Sequence, residues 1–220
     1  FKQKTAYDSS VTGVQTCALP ILQSWNTLGM RGTCSDGYHL KASGETAQIV
    51  PMPYADVSAQ TMLPTSHLVW SAVWLGIASD AVARARAFIR AEARRNAGTT
   101  PIGATRLAEA AQTLKTMKSG LRDSLRQYEA ALAEPDQLQS PHFAVAMNNL
   151  KIGSSRLVVE VVNQAMLACG LNGYRNDSPF SLSRHLRDAH SAQLMVNNDR
   201  ILANTARLQL ALREEPELFQ

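Results

Sequence analysis

The sequence predicts an all-α fold, an antiparallel four-helix bundle preceded by a short remnant of a β-domain. Three observations predict it. Alanine and leucine, strong helix formers, dominate a chain that is 45% hydrophobic and 6% aromatic. Apolar residues recur every three or four positions over four long stretches. Short links marked by Gly and Pro join those stretches, so consecutive helices run in opposite directions. At 220 residues there is room for one large domain or two small ones.

At the N-terminal end, residues 1–21, "FKQKTAYDSSVTGVQTCALPI", share neither composition nor periodicity with the rest of the chain. They resemble translated sequencing-adapter read-through and are set apart as an artefactual or disordered segment, which implies that an N-terminal part is missing. Residues 22–57 read as short strands and turns, punctuated by Gly29, Gly32 and Gly37, with Tyr38 and Leu40 alternating against polar neighbours. Their apolar content is too small to fold alone, so they are expected to be the end of a sheet. Residues 58–220 form the bundle domain.

Its first helix is expected to start at Pro64 with Thr65 or Ser66 and to stop near Asn96 to Gly98. The run "HLVWSAVWLGIASDAV" is apolar nearly all round and therefore expected to be buried. A second helix spans about 104–133, with Leu107, Ala110, Leu114, Met117, Leu121, Leu125, Tyr128 and Leu132 on one stripe. The third opens with Ser140 as cap and Pro141 at the first helical position, turns Phe143, Leu150, Leu157, Val161 and Met166 inward, and ends at Gly170. The last covers about 198–214 with Ile201, Leu202, Thr205, Leu208 and Leu212 inward.

The net charge of +4 comes from 22 basic against 18 acidic residues spread along the chain, which gives nucleic-acid binding little support. Arg84, Arg86, Arg90, Arg94 and Arg95 recur at helical spacing, as on a solvated helix face. Cys17, Cys34 and Cys169 lie far apart without a CxxC pair, so neither a disulfide framework nor a zinc site is expected, and a reducing cytoplasm fits best. No apolar run of the length of a membrane span is expected.

Three stretches carry a resemblance to a known family. "LGMRGTCSDGYHL" resembles the end of the middle β-domain of the flavin-dependent acyl-coenzyme A dehydrogenases. "LGIASDAVARARAFIRAEARRNAGTTPIG" resembles their first bundle helix and the turn after it, and residues 163–200, with "GYRNDSP" and "RHLRDA", their flavin-facing connection. The likeness covers nearly all of residues 25–213. It implies FAD held between the β-domain and the bundle and a glutamate that removes the α-proton of an acyl thioester, with hydride passing to the flavin. It also implies a homodimer or homotetramer whose subunits share flavin sites, and a role in fatty acid metabolism.

Carried over residue by residue, the resemblance puts Arg95 on the flavin diphosphate across a dimer. It puts "CGLNGY", with Gly170, Leu171, Asn172 and Gly173, beside a neighbour's cofactor, Leu171 standing where the family has a second glycine. Asn198, in place of a threonine, is expected to touch the flavin. Val196 stands where many members carry the catalytic glutamate, and Ser66 where others carry it, with His67 beside it as a weaker candidate base. No catalytic residue is therefore assigned. The cluster Arg184, His185, Arg187, Asp188 and His190 reads as a short helix with pairs such as Arg184 with Asp188, orienting the flavin-side loop and not binding metal.

The expected function is that of a fragment of an FAD-dependent oxidoreductase, an enzyme that removes hydrogen from the α,β-carbons of an acyl-CoA-like thioester, with its customary glutamate absent. A flavin-dependent monooxygenase on the same scaffold, which needs no α-proton base, is the alternative; so is a catalytically silent oligomerisation module. The isolated chain is expected to be inactive.

Overall fold

The computed structural model describes residues 15–20 and 25–212. Strands β1 (Gln15–Pro20) and β2 (Tyr38–Ser43) pair antiparallel, with Gln15 opposite Ser43 and Pro20 opposite Tyr38. Part of the segment set apart by composition thus takes a place in the structure, because β2 offers edge backbone groups that a second strand satisfies. The rest of that segment lies outside the described residues. Every residue of β2 is exposed.

Helix begins earlier than the sequence predicts. It starts with α1 (Tyr54–Val57) and continues through a π-helical turn (Ser58–Met62) into α2 (Leu63–Arg95). Pro64 therefore lies inside a helical run. Proline has no N–H for the carbonyl one turn back and its ring crowds that carbonyl, and the widened π turn makes room for both effects. Thr65 and Ser66 are interior residues, and Ser66 Oγ donates back to the Leu63 carbonyl at 2.9 Å. The far end falls where expected, with Gly98 at φ 92° in the next turn.

Only one side of the first half of α2 is buried, which corrects the expectation of burial all round. Trp74, Ala78, Ala81 and Val82 are sealed, while Val69 and Val73 remain 57% and 41% exposed. Over its most apolar 18 residues the run Tyr54–Arg95 has a mean hydropathy of 1.2, enough in length and composition to cross a membrane, and 39% of that window is buried against the bundle.

Next come α3 (Ala104–Ala133), the short α4 (Pro135–Leu138) and the central rod α5 (Pro141–Cys169). Ser140 caps α5 as expected, its hydroxyl accepting from the Phe143 amide at 3.1 Å. α5 packs most extensively on α2 and α3, and α8 (Asn198–Ala211) lies antiparallel along its N-terminal half. Trp74, Val82, Leu114, Met117, Val158, Val161 and Val162 form the main core, each side chain contributing about 1.5–3 kcal/mol of burial. A second cluster holds Leu68, Phe143, Met147 and Leu150, with Tyr128 stacked on Phe143 at 6.2 Å.

The stripe on α3 drifts from the expected one. Leu107, Ala110, Leu114, Met117, Leu121 and Tyr128 face inward, but Ser124 and Ala131 take the buried positions, and Leu125 and Leu132 stay 45% and 54% exposed. A neighbouring position on a helix is turned by about 100°, so a leucine one residue off the seam leaves it. On α8, Asn198, Ile201 and Thr205 are buried while Leu202 is 37% exposed.

Candidate functional site

The last turn of α2 and the start of α3 come together with the C-terminal end of α5. Gly103 makes this possible: a Cβ there would lie 2.3 Å from the Ala168 carbonyl oxygen, so the turn can lie directly on α5 only without a side chain. The cavity at this end, about 550 Å³, is lined by Glu92, Asn96, Thr99, Cys169 and Gly170 among others. Arg95 stands beside it, 73% exposed and paired with Glu92 at 2.9 Å. An exposed pair of this kind is worth little, so the guanidinium can change partners at small cost. Burial pushes the Cys169 thiol up to about 11, which leaves it protonated and unreactive.

Gly170 ends α5 at φ 56°, with no other atom within 4 Å of where a Cβ would lie. That is an open stretch of backbone on a helix end, the geometry an anionic group can approach. Leu171 projects from the same turn, 69% exposed, and the short α6 (Leu171–Tyr174) comes next, with Asn172 exposed. Gly173 has a different reason to be glycine: it is buried, a Cβ would meet that of Cys169 at 2.8 Å, and its carbonyl accepts from the Leu182 amide at 2.8 Å.

Five of the six expected cofactor residues, Arg95, Gly170, Leu171, Asn172 and Gly173, therefore gather at one end of the bundle. Asn198 does not join them. Its Oδ1 accepts from Lys151 Nζ at 2.7 Å and its Nδ2 donates to Ser155 Oγ at 3.0 Å, with 6% of the residue exposed. Lys151 and Gly170 sit on the same helix, roughly 28 Å apart at 1.5 Å per residue. The polar face of α5 turns the Asn198 side chain inward, with both polar atoms engaged.

Around Asn198 lies a buried polar group that the sequence reading missed. Lys151 is 1% exposed, and its ammonium donates to the carbonyls of Ala192 at 3.2 Å and Val196 at 3.0 Å as well as to Asn198. It also lies 5.5 Å from the Trp74 ring centre. Burial pulls it down to about 8, so it stays charged at neutral pH. Asn148, Lys151 and Ser155 share one helical face at three- and four-residue spacing, a polar interruption of the apolar stripe that ends in Val158 and Val162. That spacing was the available signal.

Val196 stands at the expected base position with its side chain 47% exposed and its backbone at φ 47°. A β-branched residue in the left-handed region is strained by about 1–2 kcal/mol. His67 is 1% exposed, its Nδ1 has no hydrogen-bond partner, and burial lowers it to about 4; Asn148 pulls the other way and the Lys151 cation adds to the lowering. It is a neutral core imidazole at pH 7.

A second cleft, about 640 Å³, opens between the turn carrying Gly29 to Thr33 and α7 (Ser183–Ala189). Gly29 presses on the Arg187 carbonyl, 2.2 Å from where a Cβ would lie, and the Met30 amide donates to Asp188 Oδ1 at 2.7 Å. Asp188 is thus spent on this docking, not on the expected pair with Arg184. His185 Nε2 meets Asp80 Oδ2 at 2.6 Å, and Asp80 also accepts from Arg84 at 2.8 Å. The arginine first, and the imidazole with it, holds the Asp80 carboxyl below the usual range. The other ring nitrogen of His185 is buried without a partner. Asp188 thus ties this short helix to the Gly29–Thr33 turn, and His185 ties it to α2. Among the described residues no three His, Cys, Asp or Glu side chains converge as metal ligands.

Known proteins share this fold. The model of the family "Acyl-CoA dehydrogenase, C-terminal domain" matches residues 68–199. A search of curated protein sequences finds no match. Among solved structures, dibenzothiophene monooxygenase from Paenibacillus sp. A11-2 is 22% identical with a TM-score of 0.67, over 94% of this chain and 55% of that one. A further structure of the same protein holds FMN and indole. Nitrososynthase from Micromonospora carbonacea var. africana is 19% identical with a TM-score of 0.69, over 92% and 53% of the two chains. A glutaryl-coenzyme A dehydrogenase in complex with glutaryl-CoA is 20% identical with a TM-score of 0.62, over 91% and 48%. At these identities the likeness is one of fold, and the chain spans about half the length of the structures it matches. The family model covers more than half of the chain, from α2 through α3, α5 and α7 to the first two residues of α8, and on that ground the chain belongs to the acyl-CoA dehydrogenase family as its C-terminal domain.

Proposed function

We propose that this chain is the C-terminal part of a flavin-dependent oxidoreductase of the monooxygenase type. One observation carries the reading: neither family position for the α-proton base holds a carboxylate. Val196 presents a half-exposed isopropyl group at one, and Ser66 at the other is a helix-interior hydroxyl bonded to the Leu63 carbonyl. Abstraction of an α-proton needs a positioned base, and neither group can accept a proton at neutral pH.

Bound flavin would supply hydride acceptance when oxidised and oxygen activation when reduced. Arg95 and Gly170 fit an anionic cofactor group: the guanidinium is exposed beside a cavity, and the Gly170 backbone is open. Such a pair suits the diphosphate of FAD, supplied by another copy in a homodimer or homotetramer; FMN, with one phosphate and no adenine, would leave it unused. Dehydrogenation of an acyl-CoA-type thioester is the second reading. The family favours it, and it needs a base from residues beyond this chain.

The test uses the full-length protein. Tighter binding of FAD than of FMN, no bleaching of the flavin by acyl-CoA thioesters without oxygen, and product oxygenation once an external reductase is added support the monooxygenase reading. Anaerobic bleaching by an acyl thioester refutes it in favour of dehydrogenation. A protein that binds no flavin on titration refutes both and leaves an oligomerisation module.

A further inference from the structure

We propose that Lys151 is a positioning residue for the connection between α7 and α8, a buried cation that holds the backbone at position 196 in its left-handed conformation. Its bearing on the flavin rests on the function proposed above, whereas the clamp itself does not.

An ammonium has three N–H groups, and Lys151 has three acceptors: the carbonyls of Ala192 and Val196 and the amide oxygen of Asn198. Each belongs to the connection or to the first residue of α8, and together they bracket position 196. Among the described residues no carboxylate pairs with Lys151. A buried charge answered by neutral dipoles alone is held by their geometry, so the geometry of the loop and the charge depend on each other.

The connection needs such a hold. Residues 190–197 run as successive turns, with the amides of Leu194 and Met195 reaching back to Ser191 and that of Asn198 to Gln193. Elsewhere in α2 to α8, positive φ is taken by Gly98 and Gly170. At Val196 a β-branched side chain opposes that conformation, and its carbonyl accepts from the Lys151 ammonium at 3.0 Å. Strain persists only where the surroundings over-determine it. Here the backbone turns of the connection are joined by one lysine, reaching from the middle of the central helix to the position where the family carries its base.

The test is hydrogen–deuterium exchange on the chain and three variants. Lys151→Met keeps the length and apolar stem against Trp74 and removes the charge. Exchange at the amides of Leu194, Met195 and Asn198 is expected to speed up by about tenfold, while the core amides of Val158 to Ala165 keep their protection. In a Val196→Gly background, where the left-handed conformation is free of strain, the same substitution is expected to change exchange by less than about threefold. Asn198→Asp puts a carboxylate beside the ammonium and is expected to slow exchange at the same amides. Unchanged exchange in Lys151→Met, equal acceleration across α5, or the same factor with Gly at 196 overturns the clamp. Should Lys151→Met not fold, Asn198→Asp decides alone: slower exchange supports the clamp and unchanged or faster exchange overturns it. A confirmed clamp whose loss leaves the flavin affinity of the full-length protein unaltered upholds the proposal and removes the connection from the flavin side.

Discussion

His67 makes this bundle acid-sensitive in a defined window. Its imidazole is 1% exposed on the buried face of α2, and burial lowers it from 6.5 to about 4. In the unfolded chain the ring takes up a proton as pH falls through 6.5; in the folded chain it resists until about 4. Between those values the unfolded state binds more protons, so stability falls with falling pH. A histidine held that far below its ordinary value represents about 3 kcal/mol, fully present above pH 6.5 and lost by about pH 4. With so little of the ring exposed, solvent screening takes almost nothing from the figure. The assay is urea unfolding of the chain and of His67→Gln at a series of pH values from about 7 to 4. Glutamine keeps an amide beside Asn148 but does not titrate in this range. At a slope of about 2 kcal/mol per molar urea, the midpoint of the parent chain should fall by about 1.5 M more than that of the variant across the window. Parallel pH profiles for the two proteins would refute the reasoning, since they would mean that the folded imidazole titrates as it does in water.

Single contacts elsewhere in the bundle give further measurable outcomes. Lys151 works in a separate, alkaline window: lowered from 10.5 to about 8, it makes the chain gain stability as pH rises from 8 towards 10.5, and Lys151→Met should abolish that slope in the same urea assay. Trp74→Ala empties the centre of the core, where the ring is 0% exposed, and should cost about 4 kcal/mol by thermal or urea unfolding. Ser140→Ala removes the cap of α5 and should cost about 1 kcal/mol, with helix content retained by circular dichroism. Gly29→Ala drives a methyl group into the Arg187 carbonyl and should undock the turn; Trp25, whose ring nitrogen donates to the Met30 carbonyl at 3.0 Å, reports this as a fluorescence shift with little change in the global unfolding midpoint.

Much of the fold was legible because its determinants are local. The Ser140–Pro141 start of α5, the glycines after α2 and α5 and the inward positions Leu114, Met117, Val161 and Ile201 each come from a few neighbouring residues. The misreadings share one cause. Pro64 lies within a helix because a π turn precedes it, and Leu125 and Leu132 leave the seam because Ser124 and Ala131 fit it more closely; neither outcome is visible until the partner helices are in place. The candidate site divides the same way. The family resemblance named Arg95, Gly170 to Gly173 and Asn198; the first five lie at helix ends, which local sequence sets, whereas the Asn198 side chain turns inward to Lys151 and Ser155, which only packing decides.

Where helices begin, end and face was therefore written in the amino-acid order, since helix formation depends on residues within a turn or two of one another. Which polar groups meet was decided by tertiary packing: Lys151 with Val196 and Asn198, His185 with Asp80, and Asp188 with the Met30 amide 158 residues away. A buried charge or amide is tolerated only where a partner arrives at hydrogen-bond distance, and that arrival is settled by α2, α5, α7 and α8 packed together, not by any one of them.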